Sequence, residues 1–289
     1  MKKFSVKEKA YAKVNLTLDV KKKRPDGYHE LEGIMQSVSL ADEVEARPGE
    51  GIKVVFDSPV PENNTCRRAA ELFLAGSGLG AEISVRKRIP SEAGLGGASA
   101  DAAAALRALN KIYAGTPLER TEDELLSIGL KIGADVPFCL TGGCAVARGV
   151  GEILTPVGGM SLDLLIVRGS RGVSTGRLFA SLGVGEKDES RLPEGTLQNA
   201  LAAIEKKDAR ALGACVSNAL TPAACLIAPE IGEYAARMKA LGALGASMTG
   251  SGAAVFGIFP DAESAKKAYD GFADCEFRAA CKTKSGIWS

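Results

Sequence analysis

The 289-residue chain reads as an α+β fold in two domains, residues 1–157 and 158–289. Three observations point there. Strand-like and helix-like stretches follow one another irregularly, without the strict alternation of a doubly wound parallel sheet. The length exceeds one ordinary domain, and a composition of 46% apolar and 25% charged residues supports a sizeable core. The composition also shifts over 157–161 (Val-Gly-Gly-Met-Ser), between a glycine-rich stretch and the apolar run LDLLIVR at 162–168.

Taken in order, alternation at Val14, Leu16, Leu18 and Val20, and from Val44 to Phe56, predicts strands. Pro25-Asp26-Gly27 is a turn signal between two such runs. Residues 64–75 have a helical pattern with Asn64 as N-cap. The strand EISVRK (82–87) leads into a glycine-rich loop and then the helix ADAAAALRALNKIY, built from strong helix formers. A further helix spans 121–132, where Thr121 and Glu124 have capping-box spacing. Six glycines punctuate short strand-like pieces over 142–159, and 162–168 is a buried strand. Helices are expected near 174–183, 196–206, 208–219 and 229–241. Two strands around a glycine turn (243–259), a helix (261–272) and a last strand (275–283) complete the chain.

Composition excludes several functions. With 36 basic and 35 acidic residues the formal charge is +1, which argues against nucleic acid as the main partner. A single histidine, His29, excludes His-rich metal centres. Seven cysteines without a CxxC pair read as reduced thiols of a cytoplasmic protein. No apolar run approaches the length of a membrane span, and the N-terminus lacks the apolar segment of a signal peptide.

The sharpest local feature is Pro90-Ser91-Glu92-Ala93-Gly94-Leu95-Gly96-Gly97-Ala98-Ser99-Ala100, between a strand and a helix. Closely spaced glycines allow φ > 0 and a close backbone approach to a ligand. Successive N–H groups and the positive end of the helix suit a phosphate. A tight strand-to-helix turn is the other reading of the same residues. It is not a Walker A loop, since no Gly-Lys pair occurs, nor a Rossmann turn, since no GxGxxG occurs. Gly172-Val-Ser174-Thr-Gly176 matches the serine-hydrolase elbow. That order needs a histidine after the serine, and His29 precedes it.

Four segments together resemble the GHMP kinase superfamily (galactokinase, homoserine kinase, mevalonate kinase and relatives). They are Ala12-Lys13-Val14-Asn15-Leu16, the loop above, Gly133-Ala134-Asp135-Val136-Pro137, and Met248-Thr249-Gly250-Ser251-Gly252. Arg24-Pro-Asp-Gly-Tyr-His-Glu-Leu31, Met35-Gln-Ser-Val38 and Leu40-Ala41-Asp42 are similar to the branch whose substrate is CDP-methylerythritol. So are Gly151-Glu152-Ile-Leu154 and Gly172-Val-Ser-Thr175. The chain departs from the pattern at Ala98, Cys144, Thr249 and Ala253, and residues 218–222 lack the branch's acidic group.

The resemblance implies two α+β domains, the first like ribosomal protein S5 domain 2 and the second ferredoxin-like, with ATP and substrate meeting between them. It implies ATP and Mg2+ as cofactors, with no protein ligand assigned to the metal. Asp135 is the implied base for the substrate hydroxyl, and its other reading is a helix N-cap. Lys13 is its implied partner, otherwise a solvated strand lysine. Asn15, on the same side of the strand as Lys13, would bind substrate. Residues 90–100 would cradle the ATP phosphates, with Ser99 capping the next helix or reaching a phosphate or Mg2+. Gly250, Ser251 and Gly252 would form a turn beside the transferred phosphate. Tyr28, His29 and Phe179 would hold the cytosine, one ring from each side and His29 at the base edge, with Thr175 alongside. Tyr28-His29 also reads as a hairpin-turn pair. A small-molecule partner, no nucleic acid, no membrane, and a monomer or homodimer follow. The rivals are a mevalonate- or sugar-type kinase and a non-catalytic binding homologue.

Overall fold

The computed structural model describes residues 4–59, 64–183, 185, 187 and 189–286. β1 (Val6–Lys23) and β2 (His29–Gly49) form a long antiparallel hairpin across the expected turn, where Gly27 has φ +85°. The other edge of β2 carries two partners side by side. β4 (Gly80–Arg86), with β3 (Ile52–Phe56) outside it, pairs at residues 43–49. β5 (Cys144–Gly149), with β6 (Ile153–Pro156) outside it, pairs at residues 31–36.

Four helices cover this sheet: α1 (Thr65–Phe73), α2 (Gly97–Ile112), α3 (Glu122–Ile132) and α4 (Val136–Thr141). Asn64 caps α1 at Arg67 N, and Thr121 with Glu124 closes the capping box of α3. Every residue from Ala100 to Leu109 of α2 is buried. Its alanines let β1, β2, α1 and α4 crowd around it, so the helix lacks a polar face. Helix α4 starts where the N-cap reading of Asp135 put a helix, although a segment this short shows no period of its own.

The second sheet holds β7 (Asp163–Arg168), β9 (Gly245–Met248), β10 (Val255–Phe259) and β11 (Phe277–Lys282) in the antiparallel order β11-β7-β10-β9. That is the ferredoxin-like arrangement, with α9 (Glu230–Ala240) and α10 (Ala262–Asp270) packed against it. Leu164 and Ile166 of β7 join one apolar core while Leu165 and Val167 join the other. Burial on both faces explains the unbroken apolar run.

Along the chain between β7 and α9 come α5 (Thr175–Ser181), α6 (Thr196–Glu205), α7 (Ala209–Cys215) and α8 (Thr221–Ile227). The helix expected to reach 219 ends at Cys215. Val216 turns extended, and Ser217-Asn218 form β8, parallel to Thr17-Leu18 of β1. Tertiary pairing has overridden local helix propensity there. All seven cysteines are free thiols. No helix among the described residues is long and apolar enough to cross a membrane.

Candidate active site

The edge of β1 away from β2 collects the site. Lys13 N donates to Leu95 O of the glycine loop at 3.0 Å, Asn15 N donates to Thr249 Oγ1 at 3.0 Å, and β8 pairs just beyond. A register shift between Asn15 and Thr17 re-aims the strand here. Gly33 accommodates it, since a Cβ there would lie 2.2 Å from Thr17 O.

Lys13 and Asn15 face the same side. Lys13 Nζ donates to Asn15 Oδ1 at 2.7 Å and stands 3.6 Å from Asp135 Oδ2. The Lys13 side chain is 5% exposed, which removes the solvated-lysine reading; a lysine this buried requires partners. Asp135 occupies the N-cap position of α4 but makes no capping bond. Its carboxylate turns instead toward Lys13, with Oδ1 on the side of Gly151, where a Cβ would lie 3.6 Å away.

Gly94 and Gly96 both have φ +70°, and Gly96 is the N-cap residue of α2. Ser99 therefore sits inside the first turn and does not cap the helix, which begins earlier than its hydroxyl would require. Unpaired N–H groups of that turn and the helix dipole make an anion site. The two glycines are also demanded by contact. A Cβ on Gly94 would lie 2.1 Å from Thr249 O, and one on Gly96 would lie 3.2 Å from Lys13 Cγ. Ala93 and Leu95 anchor the loop in the core while Ser91 and Glu92 are exposed.

The turn after β9 approaches from the opposite side. Gly250 has φ +55°, and a Cβ on it would lie 3.2 Å from Lys13 Nζ. The hydroxyls of Ser251 and Thr175 are 2.7 Å apart. Lys13, Asn15, Asp135, Phe179, Gly250 and Ser251 help to line one cavity of about 250 Å3. A larger groove of about 1070 Å3 runs beside α3, β6 and residues 283–286, away from this ion pair, and its lining is mainly apolar.

Phe179 forms the far wall and stacks on His29, with centroids 5.0 Å apart and planes at 27°. The ring facing Phe179 is thus that of His29, whereas Tyr28 is 64% exposed. Burial, then the charges of Lys23 and Arg191, hold the His29 imidazole below its usual range. A neutral ring offers one donor and one acceptor.

Two residues central to this geometry have contacts that their sequence segments do not indicate. Thr249, fully buried, accepts from Asn15 N and donates to Gly94 O at 3.3 Å. Asn218 Nδ2 donates to Met248 O at 3.0 Å and Gly250 O at 2.8 Å, fixing the glycine turn. Neither carries a local signal, since Thr249 stands between Met248 and Gly250 and Asn218 between Ser217 and Ala219. No group of three or more His, Cys, Asp or Glu suited to a metal occurs among the described residues.

Fold and site together define a small-molecule kinase of the GHMP class. The GHMP kinases N terminal domain matches residues 64–143, and the GHMP kinases C terminal domain matches residues 200–277. The 4-diphosphocytidyl-2-C-methyl-D-erythritol kinase of Pelotomaculum thermopropionicum is 44% identical, over 89% of this chain and 90% of its own length. That of Carboxydothermus hydrogenoformans is 41% identical, over 90% of each chain. A crystal structure of 4-(cytidine 5'-diphospho)-2C-methyl-D-erythritol kinase superposes with a TM-score of 0.81 at 35% identity, covering 97% of this chain and all of that one. The chain belongs to the family of 4-diphosphocytidyl-2-C-methyl-D-erythritol kinases.

Proposed function

We propose that this chain transfers the γ-phosphoryl group of ATP to the 2-hydroxyl of 4-diphosphocytidyl-2-C-methyl-D-erythritol, giving the 2-phosphate and ADP in non-mevalonate isoprenoid synthesis. The observation that carries the reading is Asp135 Oδ2 standing 3.6 Å from the buried Lys13 ammonium, beside the glycine-bounded N-terminus of α2. Asp135 accepts the hydroxyl proton, the oxygen attacks the γ-phosphorus, and the bond to the β-phosphate oxygen breaks. Lys13 holds the Asp135 carboxylate in place and meets charge growing on the transferred group. Asn15 orients Lys13 and the polyol. A turnover of about 10 s⁻¹ corresponds to a barrier of about 16 kcal/mol, which positioning and charge stabilisation must reach.

Residues 90–100 hold the ATP phosphates, and the turn Gly250-Ser251-Gly252 supplies N–H groups to the transferred one. Mg2+, when bound with ATP, would neutralise the charge of its phosphates. Phe179 and His29, with Thr175 nearby, receive the cytosine, and the exposed Tyr28 supplies the second face. The division between domains falls at 157/158, and the enzyme works in the cytoplasm as a monomer or homodimer.

Purified protein should release ADP only when the cytidine substrate, ATP and Mg2+ are all present, with mevalonate, homoserine and galactose inert. Comparable turnover of one of those acceptors would overturn the substrate assignment. Tight binding of the cytidine substrate without turnover would reduce the chain to a binding protein.

A further inference from the structure

Three consecutive amides precede the glycine loop, and none of them is paired within a sheet. Lys87 N donates to Asp57 Oδ1 at 2.9 Å; Arg88 N and Ile89 N both donate to Asp42 Oδ1, the latter at 2.7 Å. Pro90, which has no N–H, follows. The chain leaving β4 is thus held by carboxylates until it enters the loop. Asp42, on β2, is fully buried. Its second oxygen accepts from Lys87 Nζ, which also donates to Asp101 Oδ2 at 2.6 Å. Asp101 lies in the second turn of α2, on the far side of the loop, and its side chain is 3% exposed.

This cluster passes directly under the loop. A Cβ on Gly97 would lie 3.1 Å from Ile89 Cγ2 and 3.5 Å from Lys87 Nζ. Asp101 Oδ1 has no hydrogen-bond partner among the described residues. Burying two carboxylates on one ammonium, with an oxygen left over, is costly, and an apolar packing of similar volume would serve stability as well or better. The arrangement is suited to setting geometry: it ties the entrance of the loop, at 87–89, to its exit on α2 through one lysine.

We propose that Asp42, Lys87 and Asp101 are positioning residues for ATP, an ionic strut that sets the spacing between the two ends of the loop 90–100 and so the aim of its N–H groups. The proposal rests on the reading of that loop as the ATP phosphate site. Among the described residues, no hydrogen bond or ion pair joins these three to the Lys13–Asp135 pair or to the His29–Phe179 stack. Their removal therefore acts on ATP and spares the other substrate.

The test uses the full chain with Asp42→Asn, Lys87→Met and Asp101→Asn. Asparagine at 42 can still accept the two amides through Oδ1, while its Nδ2, a donor, replaces the oxygen that holds Lys87. Asp101→Asn, which leaves the Asp42 carboxylate and its two amide bonds in place, is the milder change should the others fold poorly. ATP binding is measured by calorimetry without the cytidine substrate, and KM for each substrate and kcat by ADP release. The expected result is a Kd and KM for ATP raised tenfold or more, with KM for the cytidine substrate within threefold of wild type. A merely structural role would lower the active fraction, hence apparent kcat, and leave KM for ATP unchanged. That outcome, or ATP affinity within twofold of wild type in Asp101→Asn, overturns the strut. Absence of ATP binding by the wild type would instead overturn the reading of the loop itself.

Discussion

Asn15 N donates to the hydroxyl of Thr249, 234 residues further along the chain, at 3.0 Å. The same hydroxyl donates to Gly94 O. One buried side chain thus joins the strand bearing Lys13, the glycine loop and the turn at Gly250. Valine has the shape of threonine without the hydroxyl. Thr249→Val should leave a buried N–H and a carbonyl unpaired and cost about 1–3 kcal/mol, read from denaturant unfolding. Because Lys13 rides on the same strand, kcat should fall as well. Thr249→Ser keeps the hydroxyl and should lie within about 1 kcal/mol of wild type. Full stability in Thr249→Val, with a loss confined to Thr249→Ser, would show that the methyl group, not the hydroxyl, matters.

Asp135 makes no capping bond to α4 and faces Lys13. Asp135→Asn therefore removes no capping bond from α4, takes away the charge facing buried Lys13, and should lower kcat by about 10²–10⁴-fold, the usual scale of general-base loss. KM for ATP should change little, since the loop N–H groups remain in place. Steady-state kinetics with ATP varied at saturating cytidine substrate separates the two parameters. Activity within a few-fold of wild type would exclude a proton-accepting role.

Strong local signals carried far in this chain. The alanine helix α2, the Thr121–Glu124 capping box, the Pro25-Asp26-Gly27 turn and the glycine loop each depend on residues close in sequence, and each forms as the pattern implies. Long-range contacts were out of reach. Residues 208–219 have helical character, yet Ser217-Asn218 is drawn into strand pairing with β1, because backbone groups at Thr17-Leu18 would otherwise be left open. Asn218 then meets the Gly250 turn, a contact that no local pattern encodes. The motif at Leu40-Ala41-Asp42 likewise gave no hint that Asp42 receives two amides from beyond β4.

Gly96 stands directly beside the Lys13–Asp135 pair. Its φ of +70° disfavours any side chain, and a Cβ would press on Lys13 Cγ at 3.2 Å and stand 3.7 Å from Asp135 Oδ2. Gly96→Ala should cost roughly 1–2 kcal/mol for the left-handed backbone alone and displace the ammonium. Both kcat and ATP affinity should drop, in contrast to Asp135→Asn. Gly76, also at φ +75° but with open space around it, is the control. Alanine there should show a similar stability loss by thermal denaturation and unaltered kinetics.

The His29–Phe179 stack yields a prediction in pH. Burial first, and then Lys23 and Arg191, lower the His29 pKa below that of a free imidazole. On acidification the unfolded chain takes up its proton first, near the ordinary value of about 6.5. Between that value and the lower folded one, the unfolded state binds more protons, so stability falls as pH drops through this window and is flat above it. His29→Gln should remove that part of the slope in denaturation midpoints measured from pH 8 to pH 5. Protonation also deprives the ring of its acceptor, so KM for the cytidine substrate should rise below the same window in wild type and stay level in His29→Gln. Phe179→Ala should raise that KM about tenfold or more at every pH, the scale of one base-stacking contact, with KM for ATP unmoved. If KM for ATP rose in parallel, Phe179 would be part of the general packing of the cavity and not a wall for the base.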